Sequence, residues 1–584
     1  MPIKNLFEEA DFIGVIGSPS STGELTLDII GTAVTKGLVG KLSVFKYMQD
    51  DYDNYALGQI TEIEMRNVWT QDPTMRGIIR QRGRVDPITE KQDTHIAKMR
   101  ISSVFALNNE EIQPSIFGTV PSTGTQIKLL DDKLMKAMFK DYEQELFYLG
   151  TSYGTNIKMP MWFKHFGTGK SGAGEAYHIG VFGKTGSGKS VLSKMILLGY
   201  ARHPEMSIFI LDPQGEFARD FKEHPELKNV VQNNLKRNVS IFNLNNIVLS
   251  NWKLFEKILV DSEFFFKLGV KHVINRTTAA DQAVKILRSK KKDKSKIESF
   301  TGDVVGEVKL SEVYKRESFN KVWNALGEKK VQERIYSSKD AVARIQGNYE
   351  SDDPDEYYSI WQKVANLFKY QGRSNSINTY DLAKKISDNS KNIIIIDLSE
   401  SEIPSDVLWN ESIRLMLIGE FIKTISKEAE LKFKENKLLN SLIIIDEAHR
   451  LAPRETPENE ELVQIKANLI DGVRTTRKYG LGWMFISQTL SSLDRKILEQ
   501  MRVYLFGYGL AWGVELQALK GLIGGAEDAI RLYQMFVDPQ SGLGKQEYPF
   551  MSIGPISPLS FSGTPLFFKA LDYPKEFLEI NFDG

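Results

Sequence analysis

One octapeptide limits the folds open to this 584-residue chain, because it fits the pattern G-x-x-x-x-G-K-[ST]: Gly183-Lys184-Thr185-Gly186-Ser187-Gly188-Lys189-Ser190. An apolar run, His178 to Phe182, precedes it, and a helical pattern, Val191 to Tyr200, follows it. A strand, a glycine-rich turn and a helix in this order bring backbone N–H groups and the positive end of a helix dipole to one point. The residues therefore predict a nucleotide phosphate site in an α/β domain.

The residue types of this motif indicate ATP and Mg²⁺ as cofactors. Lys189 is expected to neutralise charge on the β- and γ-phosphates, and the Ser190 hydroxyl is expected to bind Mg²⁺. A second apolar run, Leu442 to Ile445, ends in the acids Asp446 and Glu447. Asp446 is expected to hold the Mg²⁺ shell, with Glu447 as the general base that activates water.

Polar residues follow three further apolar runs. Gln488 ends one run with an uncharged amide, which suits it to orient water or sense the γ-phosphate. Asp212 and Glu216 flank a Pro-Gln-Gly turn after the run Ser207 to Leu211, and Asp397 follows the run Asn392 to Ile396. Ligands of open α/β sheets bind at the carboxyl ends of the strands. Asp212 and Glu216 are therefore predicted to line the nucleotide site.

Composition excludes several classes of protein. Lys plus Arg and Asp plus Glu both number 75, so no global field attracts nucleic acid, and DNA contacts would need a local patch or a pore built from several copies. The absence of cysteine excludes disulfides, thiolate nucleophiles and Cys-ligated zinc, and it favours a reducing, cytoplasmic setting. The longest apolar runs are far below the roughly 18 residues that span a bilayer, so no membrane partner is predicted.

Changes in pattern divide the chain into five parts. Period-two alternation predicts an N-terminal β-barrel, and apolar runs separated by helical patterns predict an α/β core of buried parallel strands with a helical insertion. The predicted parts are a barrel at 1–107, an irregular linker at 108–175, a core at 176–250 and 380–537, a helical insertion at 251–379, and an extended C-terminal arm at 538–584. The fold class is therefore α/β, with a P-loop ATPase core.

The motif set resembles the HerA branch of the HerA and FtsK family. The resemblance rests on the 183–190 loop, on 212–216 and 397–399, on Asp446-Glu447-Ala448-His449, on Arg477-Lys478-Tyr479-Gly480 and on Ile486-Ser487-Gln488; residues 14–21 are similar to the opening of that family's HAS-barrel. It implies a RecA-like ATPase core and a homohexameric ring that hydrolyses ATP and moves on double-stranded DNA. It also implies an effector partner, either a nuclease of the NurA type or, in antiphage systems, another nuclease or a sirtuin-like NAD hydrolase. A barrel that has no convincing catalytic set and precedes a motor domain is expected to dock this partner, the alternative being that it only stabilises the ring.

Two arginines are candidates for a catalytic role between subunits. Arg474 and Arg477 lie in a helix-like stretch that precedes the Gln488 strand, and Arg477 belongs to the segment that matches the family pattern. A guanidinium here would stabilise charge on the γ-phosphate of a neighbouring subunit. The alternative is that both arginines pair with acids of their own chain, such as Asp471.

Alternative functions differ in how far the residues support them. A DEAH-type helicase is set aside because Asp446 lies 257 positions after Lys189, much further than in that class, and because the next strand ends in Gln488. An ATPase of the conjugation or secretion kind shares the core and stays open. So does a scaffold whose ring mainly assembles and regulates effector subunits with little translocation.

Overall fold

A computed structural model describes residues 2–82, 92–108, 111–169, 171–289, 307–370, 376–387, 392–399, 403–541, 546–560 and 563–582. It contains an N-terminal antiparallel barrel and a large mixed sheet covered by helices on both faces. The predicted fold class, an α/β P-loop core with an N-terminal barrel and a helical insertion, is confirmed.

Six strands close the N-terminal barrel. The strands of this domain are β1 (Phe12–Ile16), β2 (Leu25–Ile29), β3 (Leu42–Gln49), β4 (Tyr52–Asn67), β5 (Asp93–Asn108), β6 (Glu111–Ser115) and β7 (Gln126–Leu129). The ring order is β2-β1-β7-β3-β4-β5, with β2 pairing back to β5, while β6 extends β5 outside the ring. A two-residue turn, Asp50-Asp51, joins β3 to β4 with φ of 51° and 64°, which suits the twist of a hairpin.

The second domain is built on an eleven-stranded sheet. Its order is β12-β15-β11-β16-β17-β10-β18-β19-β20-β8-β9, in which β12 to β18 are parallel and the last four strands are antiparallel. The bounds are β8 (Phe147–Ser152), β9 (Lys158–Met161), β10 (His178–Phe182), β11 (Ser207–Asp212), β12 (Asn238–Phe242), a small parallel pair β13 (Ile247–Val248) and β14 (Ile377–Asn378), β15 (Asn392–Asp397), β16 (Ser441–Ile445), β17 (Leu481–Ser487), β18 (Met501–Gly507), β19 (Pro549–Ile553) and β20 (Leu566–Ala570).

Helices cover both faces of this sheet and form the insertion between β13 and β14. They are α1 (Ile3–Glu9), α2 (Pro73–Arg82), α3 (Asp132–Met138), α4 (Lys189–Ala201), α5 (Glu216–Glu223), α6 (Pro225–Asn229), α7 (Trp252–Asp261), α8 (Glu263–Lys267), α9 (Val273–Arg288), α10 (Arg316–Leu326), α11 (Lys329–Ile335), α12 (Lys339–Ser351), α13 (Pro354–Ala365), α14 (Thr379–Ser387), α15 (Glu411–Lys434), α16 (Ala448–Leu451), α17 (Glu460–Thr475), α18 (Arg495–Leu498), α19 (Gly513–Ile523), α20 (Glu527–Gln534) and α21 (Lys575–Phe582).

Buried side chains alternate between the two faces of the parallel strands. In β11, Ile208 and Ile210 belong to one core, while Phe209 and Leu211 belong to the core on the other face. Strands that are buried on both sides need apolar residues at every position, which explains the continuous apolar runs in the sequence. The helical insertion shares the second of these cores, so it packs as part of the domain.

Two segments differ from the predicted organisation. Residue 107 lies inside β5, and β6 and β7 of the barrel follow it, while β8 and β9 join the large sheet. Pro114 in β6 and Pro160 in β9 interrupt the strand signal, because proline is tolerated in edge strands but argues against a strand in sequence. After residue 538, β19 and β20 extend this chain's own sheet instead of forming a separate arm.

A buried ion pair ties the barrel to the second domain. Both carboxylate oxygens of Asp528 in α20 accept from Arg100 Nε at 2.6 and 2.8 Å, and Thr61 donates to the same group at 2.6 Å. Burial opposes ionisation of Asp528, and the hydrogen bonds from Arg100 and Thr61 hold its pKa below the usual value. Gln59 of β4 adds two hydrogen bonds to the backbone of Phe567. The barrel is therefore fixed against the sheet.

Candidate nucleotide site

The 183–190 loop joins β10 to α4 at the carboxyl edge of the parallel strands. Gly186 and Gly188 have φ of 81° and 85°, in the left-handed region that glycine adopts without strain. Gly183 lies so close to Ser187 that a Cβ would be 2.6 Å from the Ser187 hydroxyl. The glycines therefore allow a tight turn that leads directly into the first residue of α4, Lys189.

Lys189 is buried beneath this loop, with Nζ donating to the Lys184 carbonyl oxygen at 3.0 Å. Burial lowers the pKa of Lys189, and the nearby carboxylates of Glu447, Asp446 and Glu216 oppose the shift. The ammonium group therefore faces the acids across the site. Ser190, the next residue of α4, is partly buried.

Sheet order brings the predicted acids together. β11 and β17 are the neighbours of β16, so Asp212, Asp446 and Gln488 all lie at the same edge as the loop after β10. Burial, together with Glu216, Glu447 and Asp212, raises the pKa of Asp446 to about 7. Burial raises the pKa of Asp212 to about 6, although its carboxylate accepts from the backbone N–H groups of Ala218 and Glu216.

Glu447 is held by a chain of hydrogen bonds that reaches the loop. Gln488 Nε2 donates to Glu447 Oε1 at 2.7 Å, and Thr185 Oγ1 of the loop donates to Gln488 Oε1 at 3.2 Å. The backbone of Glu447 has φ of 50°, an uncommon conformation for a non-glycine residue that occurs at functional sites. The second oxygen, Oε2, is buried and accepts no hydrogen bond from the residues that the structure describes.

His449 is a neighbour of Glu447 that the sequence did not single out. Its Nδ1 lies 3.4 Å from Glu447 Oε2 and 3.2 Å from Ser487 Oγ. Burial lowers the pKa of His449, although the Glu447 charge opposes this shift. The sequence feature that could have identified His449 is its position two residues after Glu447, in the Asp-Glu-Ala-His segment.

The side chains at this edge fit a Mg²⁺ ion held together with phosphate. No cluster of three His, Asp or Glu side chains with metal-binding geometry occurs among the described residues. Mg²⁺ needs no such cluster, since it usually keeps several waters and takes one or two carboxylates plus substrate phosphates. The raised pKa of Asp446 indicates a site short of positive charge, which a divalent cation would supply. Asp446 and Ser190 would hold it.

The pH dependence of stability should reveal this buried carboxyl. Because the folded-state pKa of Asp446 is raised to about 7, its stability contribution is present at low pH and is lost as pH rises through 7. In EDTA, Asp446→Asn should gain stability relative to the parent by roughly 2 to 3 kcal/mol between pH 5 and pH 8. Urea unfolding of the parent and of Asp446→Asn at both pH values measures the difference in their free energies of unfolding. A difference that is the same at pH 5 and pH 8 would contradict the raised pKa of Asp446.

Arg474 and Arg477 lie at the opposite edge of the sheet. They precede the first residue of β17, Leu481, whereas the site lies after its last residue, Ser487, about 20 Å away along the strand. Arg477 is exposed and pairs with Glu175 of its own chain at 3.2 Å, so the alternative of an ion pair within the chain is observed for this arginine, with Glu175 in place of Asp471. Neither arginine reaches the loop of its own chain.

Two residues of the C-terminal segment contact the loop. The side chain of Gln540 packs against Gly186, and the ring of Tyr548 packs against Gly188, where a Cβ would lie 2.7 Å from Tyr548 Cδ1. Sequence reasoning placed these residues in an arm away from the site. No local pattern identifies them, because the antiparallel strands β19 and β20 bring their segment back beside β18 and the loop.

Fold and site together define a P-loop ATPase fold of the RecA-like class. Residues 176–425 match the family model described as "Helicase HerA, central domain". This match supports the predicted resemblance to HerA-type ATPases over residues 176–425, which are less than half of the chain. The matched segment contains the loop, Asp212 and Glu216, while Asp446 and Gln488 follow it.

Several solved structures are similar to this chain at low sequence identity and low TM-score. VirB4 of Thermoanaerobacter pseudethanolicus is 16% identical over 74% of this chain and 97% of its own, with a TM-score of 0.38. The bacterial conjugative coupling protein TrwB is 10% identical over 76% and 93%, with a TM-score of 0.37. The genome packaging NTPase B204 from Sulfolobus turreted icosahedral virus 2, in complex with AMPPCP, is 11% identical over 68% and 98%, with a TM-score of 0.27. No curated protein matches the chain.

Proposed function

We propose that this protein hydrolyses ATP with Mg²⁺ at the edge formed by β10, β11, β16 and β17. The observation that carries the proposal is the hydrogen-bond chain Thr185–Gln488–Glu447, which joins the phosphate loop to a buried carboxylate whose second oxygen accepts no hydrogen bond from the described residues. Lys189 would neutralise phosphate charge, Asp446 and Ser190 would hold Mg²⁺, and Glu447 would accept the proton of the attacking water. Asp212 and Glu216 would line the nucleotide site beside these residues.

Lys189→Ala tests this proposal directly. Without its ammonium group, the loop keeps its backbone N–H groups but loses the charge that faces the β- and γ-phosphates, so ATP turnover is expected to be abolished. Turnover at the parent rate in the purified variant would contradict the proposed site.

We propose further that the chain works as a homohexameric ring that moves on double-stranded DNA. The support is the HerA-type central domain together with arginines that are too far from the loop of their own chain to act there. The family resemblance supports a role with a nuclease or sirtuin-like effector, in repair or in antiphage defence, and the absence of cysteine supports a cytoplasmic setting. Among the described residues, no helix is long and apolar enough to span a bilayer.

DNA-dependent turnover separates the translocase from the scaffold. A translocase should hydrolyse ATP faster with duplex DNA, and the stimulation should fall steeply with salt because pore lysines and arginines contact phosphates. In a scaffold, ATP turnover should change mainly when the effector is added. ATPase rates with duplex, with single-stranded DNA and with effector are the measurement, and stimulation by single strands alone would favour the conjugation-type alternative. The absence of any DNA response would contradict translocation.

The barrel carries an exposed apolar surface that suits effector docking. Met65, Val68 and Trp69 at the end of β4 are 59%, 74% and 48% exposed, and the adjoining helix α2 buries none of its residues. Short helices are marginal without tertiary packing, so a partner would stabilise this one. Deleting residues 1–107 would cut β5 and remove Leu42 and Val44 from the core, so point variants are the cleaner test.

Trp69→Ala is expected to weaken effector binding by about 30-fold, because buried tryptophans dominate interface energies. Trp512→Ala is the matched control, since this tryptophan is 70% exposed outside the barrel. Titration calorimetry with the intact ring measures the affinity of each variant for a NurA-type nuclease or a sirtuin-like effector. Equal affinity for the parent and Trp69→Ala would remove this surface from docking.

A further inference from the structure

A cavity of about 510 Å³ opens beside the phosphate loop, on the side away from Glu447 and Gln488. It is lined by Val191 of α4, by Tyr548, by Lys569 of β20 and by Leu571 and Tyr573. Its volume lies within the range of small-molecule sites. The lining combines the rings of Tyr548 and Tyr573 and several apolar side chains with five charged side chains, Lys158, Glu547, Lys569, Asp572 and Glu576.

The cavity and the loop share two side chains. Val191 directly follows Ser190 in α4, and the Tyr548 ring packs against Gly188. The Tyr548 hydroxyl donates to Gln546 Oε1 at 2.8 Å, which restrains the ring, and Lys569 pairs with Glu547 at 3.0 Å across the same wall. A ligand whose phosphates fill the loop would therefore extend its remaining part past Tyr548 into this cavity.

We propose that this cavity binds the base and ribose of the nucleoside triphosphate, with the Tyr548 ring as the surface on which the base stacks. The inference rests on the proposed ATPase function and adds to it the part of the site that selects the nucleoside. Phosphate and Mg²⁺ contacts come from the loop and the ends of the parallel strands, while the nucleoside contacts come from Val191 and from the segment after residue 546. Tyr548 lies outside the segment 176–425 that matches the HerA central domain.

Comparing ATP with inorganic tripolyphosphate tests this division, because tripolyphosphate occupies the loop and has no nucleoside. In the full chain with Mg²⁺, Tyr548→Ala is expected to weaken ATP binding by about 5- to 150-fold, the range for losing one base-stacking ring. Tripolyphosphate affinity should stay within twofold. Tyr548→Phe, which keeps the ring, should restore ATP binding, and Tyr380→Ala, an exposed tyrosine of α14, is the control.

Val191→Phe gives a second and independent test. The larger ring would fill part of the cavity from α4, so ATP binding should weaken while tripolyphosphate binding persists. Equal losses for both ligands in Tyr548→Ala would show that the ring only supports the loop, and this result would overturn the proposal. Unchanged ATP affinity in both variants would overturn it as well. A parent chain that binds neither ligand would overturn the ATPase function itself.

Discussion

ATP turnover is expected to fall by about 10²- to 10⁴-fold in Glu447→Gln, while ATP binding is retained. The reason is geometric, because Glu447 Oε1 is already held by Gln488 and Oε2 is the only oxygen left to accept a proton from water. The amide of glutamine preserves the shape of the side chain and removes its basicity. Steady-state turnover and nucleotide binding on the same preparation measure the two effects.

Two comparisons make this result specific. Lys189→Ala should lose both binding and turnover, since its ammonium faces the phosphate site from beneath the loop. Glu458→Gln changes an exposed acid that follows the same strand and should behave as the parent. Full turnover in Glu447→Gln would remove Glu447 from the role of general base and would direct attention to Asp446.

Arg477→Ala is expected to lower turnover by about 10³- to 10⁵-fold, the effect of losing an arginine supplied to a γ-phosphate. The strand β17 separates Arg477 from the loop of its own chain, so this loss requires a neighbouring subunit. Mixed rings of Lys189→Ala and Arg477→Ala subunits provide the measurement, because some interfaces then pair an intact loop with an intact arginine. Regained turnover in the mixture would support catalysis between subunits.

Glu175 provides the matched control for this arginine. If Arg477 serves only its ion pair with Glu175, then Glu175→Ala and Arg477→Ala should have the same effect. If Arg477 acts on the next subunit, Glu175→Ala should keep most of the turnover. Arg474→Ala, measured in parallel, assigns the role between the two exposed arginines. Mixed rings that stay inactive, with each variant inactive alone, would contradict a shared site at Arg477.

Local sequence predicted the strands of the core accurately because each parallel strand is buried on both faces. The strand His178–Phe182 has the bounds that its apolar run predicts, and Ser441–Ile445 begins one residue before the run Leu442 to Ile445. The glycines of the loop and the acids after β16 were equally clear, since phosphate and Mg²⁺ chemistry restrict the residue types at those positions. Edge strands such as β9 were missed, because proline and partial exposure weaken their pattern.

The sequence by itself determined that this chain has a phosphate loop, a pair of acids and an amide on successive strand ends, since strand, turn and helix signals are local. Only the tertiary structure decided which of these side chains meet. The order β11-β16-β17-β10 joins Thr185 to Glu447 through Gln488, and the return of β19 and β20 brings Tyr548 onto Gly188. The tertiary structure also places Arg477 at the edge of the sheet opposite the nucleotide site. Strand order depends on pairing between distant segments, and no local pattern encodes it.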